Sequence, residues 1–87
     1  MLEGISEDAA TETMKWYKTA AAAEWKSLID VRADFPSADQ VGHVLIFNIR
    51  NNRYRLIVRE AFAFNKLFVK AFLTHKEYDR KEWIKWA

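Results

Sequence analysis

The chain has no cysteine, one proline and two glycines among 87 residues, and each scarcity excludes something. Without cysteine there is no disulfide, no thiolate zinc site and no cysteine nucleophile, so a small core must hold without covalent staples, and a reducing compartment fits. With so little glycine and proline, and with 51% apolar and 15% aromatic residues, the composition is not that of a disordered, collagen-like or low-complexity chain. No apolar run approaches the roughly 18–20 residues that span a bilayer, and the N-terminal MLEGISEDAA is acidic, with no signal-peptide core. The expectation is a soluble cytoplasmic protein that folds as one domain over residues 1–87, since a chain of this length buries only ~60–65% of its unfolded surface and supplies one core.

Gly-rich phosphate loops and Ser-centred nucleophile elbows are also missing. The two histidines, His43 and His75, lie far apart in sequence and the carboxylates gather on an outer helix face, so the sequence predicts no metal site and no cofactor. What is present is a partition of charge. The net charge is +2, yet residues 1–49 carry four Lys or Arg against eight Asp or Glu, which is −4, and residues 50–87 carry ten against four, which is +6. Such sorting points to a polyanion as partner of the basic half, nucleic acid being the commonest, with a solvated basic surface as the alternative.

From Ser6 the pattern is helical. Ser6 is placed to cap, Glu7 and Asp8 fall in the first turn where the helix dipole favours carboxylates, and Ala10, Met14, Tyr17, Ala21, Trp25 and Leu28 recur at spacings of three and four. This predicts one long amphipathic helix. Ser27 followed by Asp30 resembles a capping box and starts a second, short helix that runs until Pro36, which disfavours helical geometry at Phe35. Residues 36–42 read as a loop.

From Val44 the period changes to two. VLIFNIR and RYRLIVR flank Asn51-Asn52, a pair that tolerates the positive φ angles of a two-residue hairpin turn. That turn sets a register: Arg50 opposite Arg53, Asn48 opposite Arg55, Ile46 opposite Ile57 and Val44 opposite Arg59 on one face, with Ile49–Tyr54, Phe47–Leu56 and Leu45–Val58 on the other. One face is then a core and the opposite one a ladder of Arg and Asn. After a loop over residues 62–65, KLFVKAFLT predicts a third strand with Leu67, Val69, Ala71 and Leu73 toward the helices and Lys70 beside the arginines. A short helical tail from Lys76 ends in EWIKWA, its Trp83 and Trp86 either docked on the core or left for a partner.

Arg50, Arg53, Arg55 and Arg59 lie within ten residues on or beside one hairpin and repel one another, since like charges opposed in a sheet cost roughly a few tenths of a kcal/mol or more per pair. A bound anion would compensate, and the planar guanidinium grips phosphate oxygens in pairs; side chains snorkelling over a solvated sheet face are the alternative. His75 stands in THKEYD, where a helical turn would put Tyr78 and Asp79 on its face. Histidine suits proton transfer near neutrality, Tyr donates or accepts, and Asp orients an imidazole, although a lone His at a strand end is more often a hydrogen-bonded structural residue than a catalyst. His43 has no partner at useful spacing and reads as surface. The chemistry that suits many cations, one His and one Tyr is cleavage of RNA by its own 2′-hydroxyl, which DNA lacks.

Taken together, WYKTAAAAEWKSLIDVRADFPSADQVGHVLIFNIRNNRYRLIVR and FLTHKEYD resemble the HigB family of bacterial toxins, within the wider RelE-like group of messenger-RNA endonucleases. The likeness runs from about Met14 to Asp79, and EWKS, FPSAD, LIFNIRNNRYRL and THKEYD carry most of its specificity. It implies an α+β, RelE-like fold in which two N-terminal helices pack on a small antiparallel sheet of three or four strands, followed by a short C-terminal helix. It further implies metal-independent cleavage of messenger RNA on the translating ribosome and inactivation by a cognate antitoxin, usually the DNA-binding HigA. The protein would then be a monomer or a complex with its antitoxin, away from membranes.

Carried onto this chain, the resemblance marks Asn48, Arg50, Asn52, Arg53 and Arg55 in the hairpin, Lys70 in the last strand, and His75, Tyr78 and Asp79 in the closing motif. The expected catalytic set is Arg55, Lys70, His75 and Tyr78; the expected RNA-binding set is Asn48, Arg50, Asn52, Arg53, Arg59 and Asp79. Family members commonly begin with a short strand of the form M-x-V-I, whereas the segment before Trp16 is shorter here and acidic. Two readings from other classes stand beside the nuclease: a non-catalytic RNA- or ribosome-binding module, and a degenerate toxin that only binds its antitoxin.

Overall fold

The computed structural model of the chain describes residues 7–50 and 53–87. In chain order these form helix α1 (Glu7–Ala22), helix α2 (Leu28–Asp34), strands β1 (Asp39–Val41), β2 (Val44–Ile49), β3 (Tyr54–Ala61) and β4 (Lys66–Thr74), and helix α3 (His75–Asp79), with 3-10 turns at Phe62–Phe64 and Glu82–Trp86. The four strands make one antiparallel sheet in the order β1-β2-β3-β4. The helices cover one face, and the architecture is the expected α+β type with a short C-terminal helix.

The first helix ends earlier than its periodicity predicts, at Ala22. Trp25 and Leu28 lie beyond it, and the extended step between the helices lets Trp25 turn onto the sheet. The buried face also differs: Ala9 and Trp16 are buried, whereas Met14 and Tyr17 are more than half exposed. Trp16 has the largest apolar surface in the helix, and its burial outweighs that of Met14 and Tyr17 together with small alanines. Ser27 occupies the N-cap of α2 without a side-chain cap bond, and the Asp30 carboxylate instead accepts the Lys26 N–H at 2.9 Å.

The β2–β3 ladder has the register derived from the sequence, from Val44↔Arg59 through Asn48↔Arg55 to Ile49↔Tyr54. Regular pairing stops there. Arg53 N–H closes back onto the Arg50 carbonyl at 3.1 Å, and Arg50 has the positive φ of 55°; the Asn51-Asn52 turn itself lies outside the described residues. The expected loop at 36–42 is partly strand, because Val41 pairs with Val44 around Gly42-His43 and Gly42 supplies the positive φ (56°) that so tight a turn requires.

Strand β4 corrects the expected sidedness. Its ladder with β3 skips a residue, from Ile57↔Ala71 to Val58↔Val69, which leaves Lys70 as the extra residue of a bulge. The bulge breaks the strict alternation. Leu67 and Phe72 therefore pack on the helix side, while Ala71 and Leu73 join the opposite face. That face is not a bare ladder of polar groups: Val44, Ile46, Ile57 and Trp83 form a second buried cluster, covered by the C-terminal tail, with Tyr78 and Trp86 against it. The tail tryptophans thus dock on the body.

The principal core lies between helices and sheet, centred on Phe47, whose ring meets Trp16 edge-on at 5.2 Å, Phe35 edge-on at 5.3 Å and Trp25 stacked at 5.9 Å. Four rings from α1, the inter-helix step, the end of α2 and β2 share this contact. Phe47→Ala is expected to destabilise the fold by about 3–5 kcal/mol, read from the denaturant midpoint. A loss under about 1 kcal/mol would show that these rings do not organise the core.

Candidate functional site

The site is assembled where the β2–β3 hairpin ends meet the start of α3. Thr74, the last residue of β4, pairs with Tyr54, and the His75 N–H donates to the Arg53 carbonyl at 3.1 Å, which pins the first residue of α3 against the hairpin. The helix begins at this point because Thr74 and Glu77 form a complete capping box: the Thr74 hydroxyl accepts the Glu77 N–H at 3.2 Å and the Glu77 carboxylate accepts the Thr74 N–H at 2.9 Å. The Thr74 backbone N–H, then its hydroxyl, hold the Glu77 carboxyl below the usual carboxylate range.

Within α3 the three expected residues divide. His75 and Asp79, one turn apart and both exposed, face each other with 3.4 Å between the imidazole Nε2 and a carboxylate oxygen. Tyr78 turns the other way, onto the tail-side face of the sheet. Its ring lies under the Arg55 guanidinium, 5.0 Å from carbon to ring centroid, and stacks on the Trp83 indole at 5.2 Å with only 6° between planes. Guanidinium and indole thus both pack against the phenol ring. Arg55 also reaches the Tyr54 carbonyl at 3.4 Å, among other contacts. Arg53, in the turn beside this stack, is exposed.

The other expected residues lie in different surroundings. Asn48 is opposite Arg55 in the ladder, and its amide donates weakly to the Ser37 carbonyl at 3.4 Å. Arg50 turns toward α1: its guanidinium is 3.5 Å from Asp8 and its backbone N–H donates to the Glu12 carboxylate at 3.0 Å. Arg59, about 13 Å along β3 from Arg55, donates to the Trp86 carbonyl and ties down the chain end. Lys70, in the bulge, extends over the Phe68 ring at 5.9 Å, and Phe68 is the partner of Arg59, not of Arg55. Asn52 lies outside the described residues. His43 has a partner after all: its Nδ1 is 2.8 Å from Glu60 across the β2–β3 pair. Charge complementarity between α1 and the hairpin, and the stacking of Trp83, are contacts between residues distant in sequence or separated by a chain reversal, and no short spacing announces them.

Among the described residues no cluster of three or more His, Asp or Glu has metal-ligand geometry, and no helix is long and apolar enough to cross a membrane. The larger cavity, about 240 Å³, lies elsewhere, between the end of α1 and the outer edge of β4, where Trp16, Ala20, Trp25 and Val69 line it.

A protein-family profile described as HigB_toxin, RelE-like toxic component of a toxin-antitoxin system, matches residues 9–81. The chain is 31% identical over 72 residues to the mRNA interferase toxin HigB of Escherichia coli strain K12, covering 79% of this chain and 69% of that protein. The same identity and coverage hold for the mRNA interferase HigB of Escherichia coli O157:H7 and that of Shigella flexneri.

The capping box has a pH signature with a defined sign. Because the folded Glu77 carboxyl lies below its unfolded value, its contribution is present above about pH 4.3 and is lost as pH falls through the depressed folded value. Unfolding midpoints measured from about pH 6 to about pH 3 should show the advantage over Glu77→Gln shrinking on acidification. An advantage that grows at low pH would contradict the box.

Proposed function

Because the chain belongs to the HigB toxin family, RelE-like toxic components of toxin–antitoxin systems, we propose that it is a metal-independent endoribonuclease that cuts messenger RNA on the translating ribosome. The observations that support this reading are the Arg55–Tyr78 contact and the His75–Asp79 pair on one short helix, whose first residue is pinned to the hairpin through the Arg53 carbonyl. Cleavage by the RNA's own 2′-hydroxyl needs three things: a proton taken from that oxygen, positive charge on the crowded phosphorus, and a proton for the departing 5′-oxygen.

Arg55 supplies the positive charge, its guanidinium held in one place by the ring beneath it. Arg53, exposed at the turn, grips a neighbouring phosphate. His75 moves a proton, and Asp79 orients its ring and stabilises the imidazolium. Tyr78, its ring already engaged by Arg55 and Trp83, acts through its hydroxyl, as a proton or hydrogen-bond donor to the phosphate oxygens. Asn48 borders the RNA path opposite Arg55; Asn52, expected to bind RNA, lies outside the described residues. Arg50 and Arg59 support the site more than they touch RNA, through α1 and the chain end respectively. Lys70 meets the substrate backbone away from the cut. The setting is the cytoplasm, and the antitoxin is of the HigA type, masking this basic corner.

Primer extension on transcripts, after induction of the chain without its antitoxin, tests the reading. New 5′ ends within translated messages are expected. Arg55→Ala should reduce cleavage about 100- to 1,000-fold with a near-native circular dichroism spectrum; a folded Arg55→Ala chain that still cuts and arrests growth would overturn the assignment. His75→Ala separates nuclease from binder: it should retain ribosome association and lose the new ends, whereas unchanged message loss would favour a binding module without proton transfer.

A further inference from the structure

We propose that Trp83 is a positioning residue for Tyr78, a clamp that holds the phenol in register with Arg55; the inference rests on the reading of Tyr78 given above. Tyr78 sits on a helix of only five residues, a length with little stability of its own. Left alone, its side chain would exchange among rotamers in water. Trp83 fixes it in two independent ways. The indole ring lies parallel to the phenol at 5.2 Å, and the indole N–H donates to the carbonyl of Tyr78 itself at 3.0 Å. The same carbonyl accepts the Lys81 N–H at 3.0 Å. Side chain and backbone of one residue are thus gripped by the segment just beyond it.

The reversal that makes this possible is at Lys81, whose positive φ of 60° turns the chain back under α3. A non-glycine residue is disfavoured in that conformation, and burial of Trp83 offsets the cost. Trp83 is 5% exposed and seated against Val44, Ile46 and Ile57 of the sheet. Arg59 secures the chain end by donating to the Trp86 carbonyl. The platform under Tyr78 is therefore the sheet itself, transmitted through one indole. The catalytic corner needs this because Arg55 rests on the same ring; if the phenol swings away, the guanidinium loses that contact too. Trp83 lies beyond residues 9–81, the stretch that the family profile matches.

The test combines spectroscopy of the free protein with cleavage in a reconstituted translation reaction programmed with one defined message. The chain has three tyrosines, so selective ¹³C labelling of their rings, assigned with Tyr78→Phe, reports on each. In the unsubstituted protein the Tyr78 ring signals should lie upfield, under the indole ring current, and Tyr78 signals at random-coil positions would overturn the proposal without any variant. Trp83→Leu should move them back, leave Tyr17 and Tyr54 in place, and lower kcat about 10- to 100-fold with KM nearly unchanged. Trp83→Phe, which keeps a ring and loses the N–H, should recover most of the upfield shift and most of kcat. In a Tyr78→Phe background, Trp83→Leu should add less than about a threefold further loss. An equal loss in both backgrounds, or a folded Trp83→Leu protein with unmoved Tyr78 signals and full kcat, would sink the clamp. Should Tyr78→Phe alone cleave at full rate, the functional reading of Tyr78 fails, and the ring signals still decide whether Trp83 positions it.

Discussion

Strand β3 is buried on both faces along its middle, and this double burial is the constraint from which the rest follows. Leu56 and Val58 point into the helix-covered core while Ile57 points into the tail-covered cluster, all three almost fully buried. A slip of one residue against β2 would turn Arg55 and Arg59 toward the helix-covered core, and burying an unpaired guanidinium costs far more than any turn preference could return. The position of Arg55 opposite Asn48 is thus set by its apolar neighbours. The charge is held in place by what flanks it.

From that fixed point the corner is built by short covalent reach. Strand β4 pairs with β3 up to Tyr54↔Thr74, so Thr74 delivers His75 directly beside the hairpin end, and the Thr74–Glu77 box obliges a helix to start there. The helix is brief, yet long enough to place His75 against Asp79 and to send Tyr78 over the sheet. The chain then reverses at Lys81, and the tail closes the second apolar face. Electrostatics sorts the remaining cations: Arg50 is drawn to Asp8 and Glu12, and Arg59 to a backbone carbonyl at the chain end. Three of the four arginines that would repel one another as a ladder, Arg50, Arg55 and Arg59, are divided among different partners, and this division relieves the like-charge cost that their sequence spacing implies.

The same division bears on how a toxin of this kind is kept harmless until it meets RNA. Positive charge near the proposed cleavage corner comes from Arg53 and Arg55, with Lys76 and Arg80 interleaved with Glu77 and Asp79 on and just after α3, while the acidic start of the first helix meets the Arg50 side of the hairpin. A protein inhibitor of complementary charge therefore has a compact target, one that coincides with the path proposed for the substrate.

The amino-acid sequence by itself determined the β2–β3 register, the second short helix, the short helical turn at the closing motif and the approach of His75 to Asp79, because each depends on residues close to one another in the chain and on strict periods of two or four. Only the tertiary structure decided which face of α1 is buried, since Trp16 competes with Met14 and Tyr17 for a core whose other wall is Phe47. It also decided where the bulge at Lys70 falls, which reverses the sidedness of Ala71 and Leu73. Finally it divided the arginines, pairing Arg50 with an acidic helix 38 residues away at Glu12 and placing Trp83 beneath Tyr78. Those outcomes are settled by packing between segments remote in the chain, and local spacing carries no record of them.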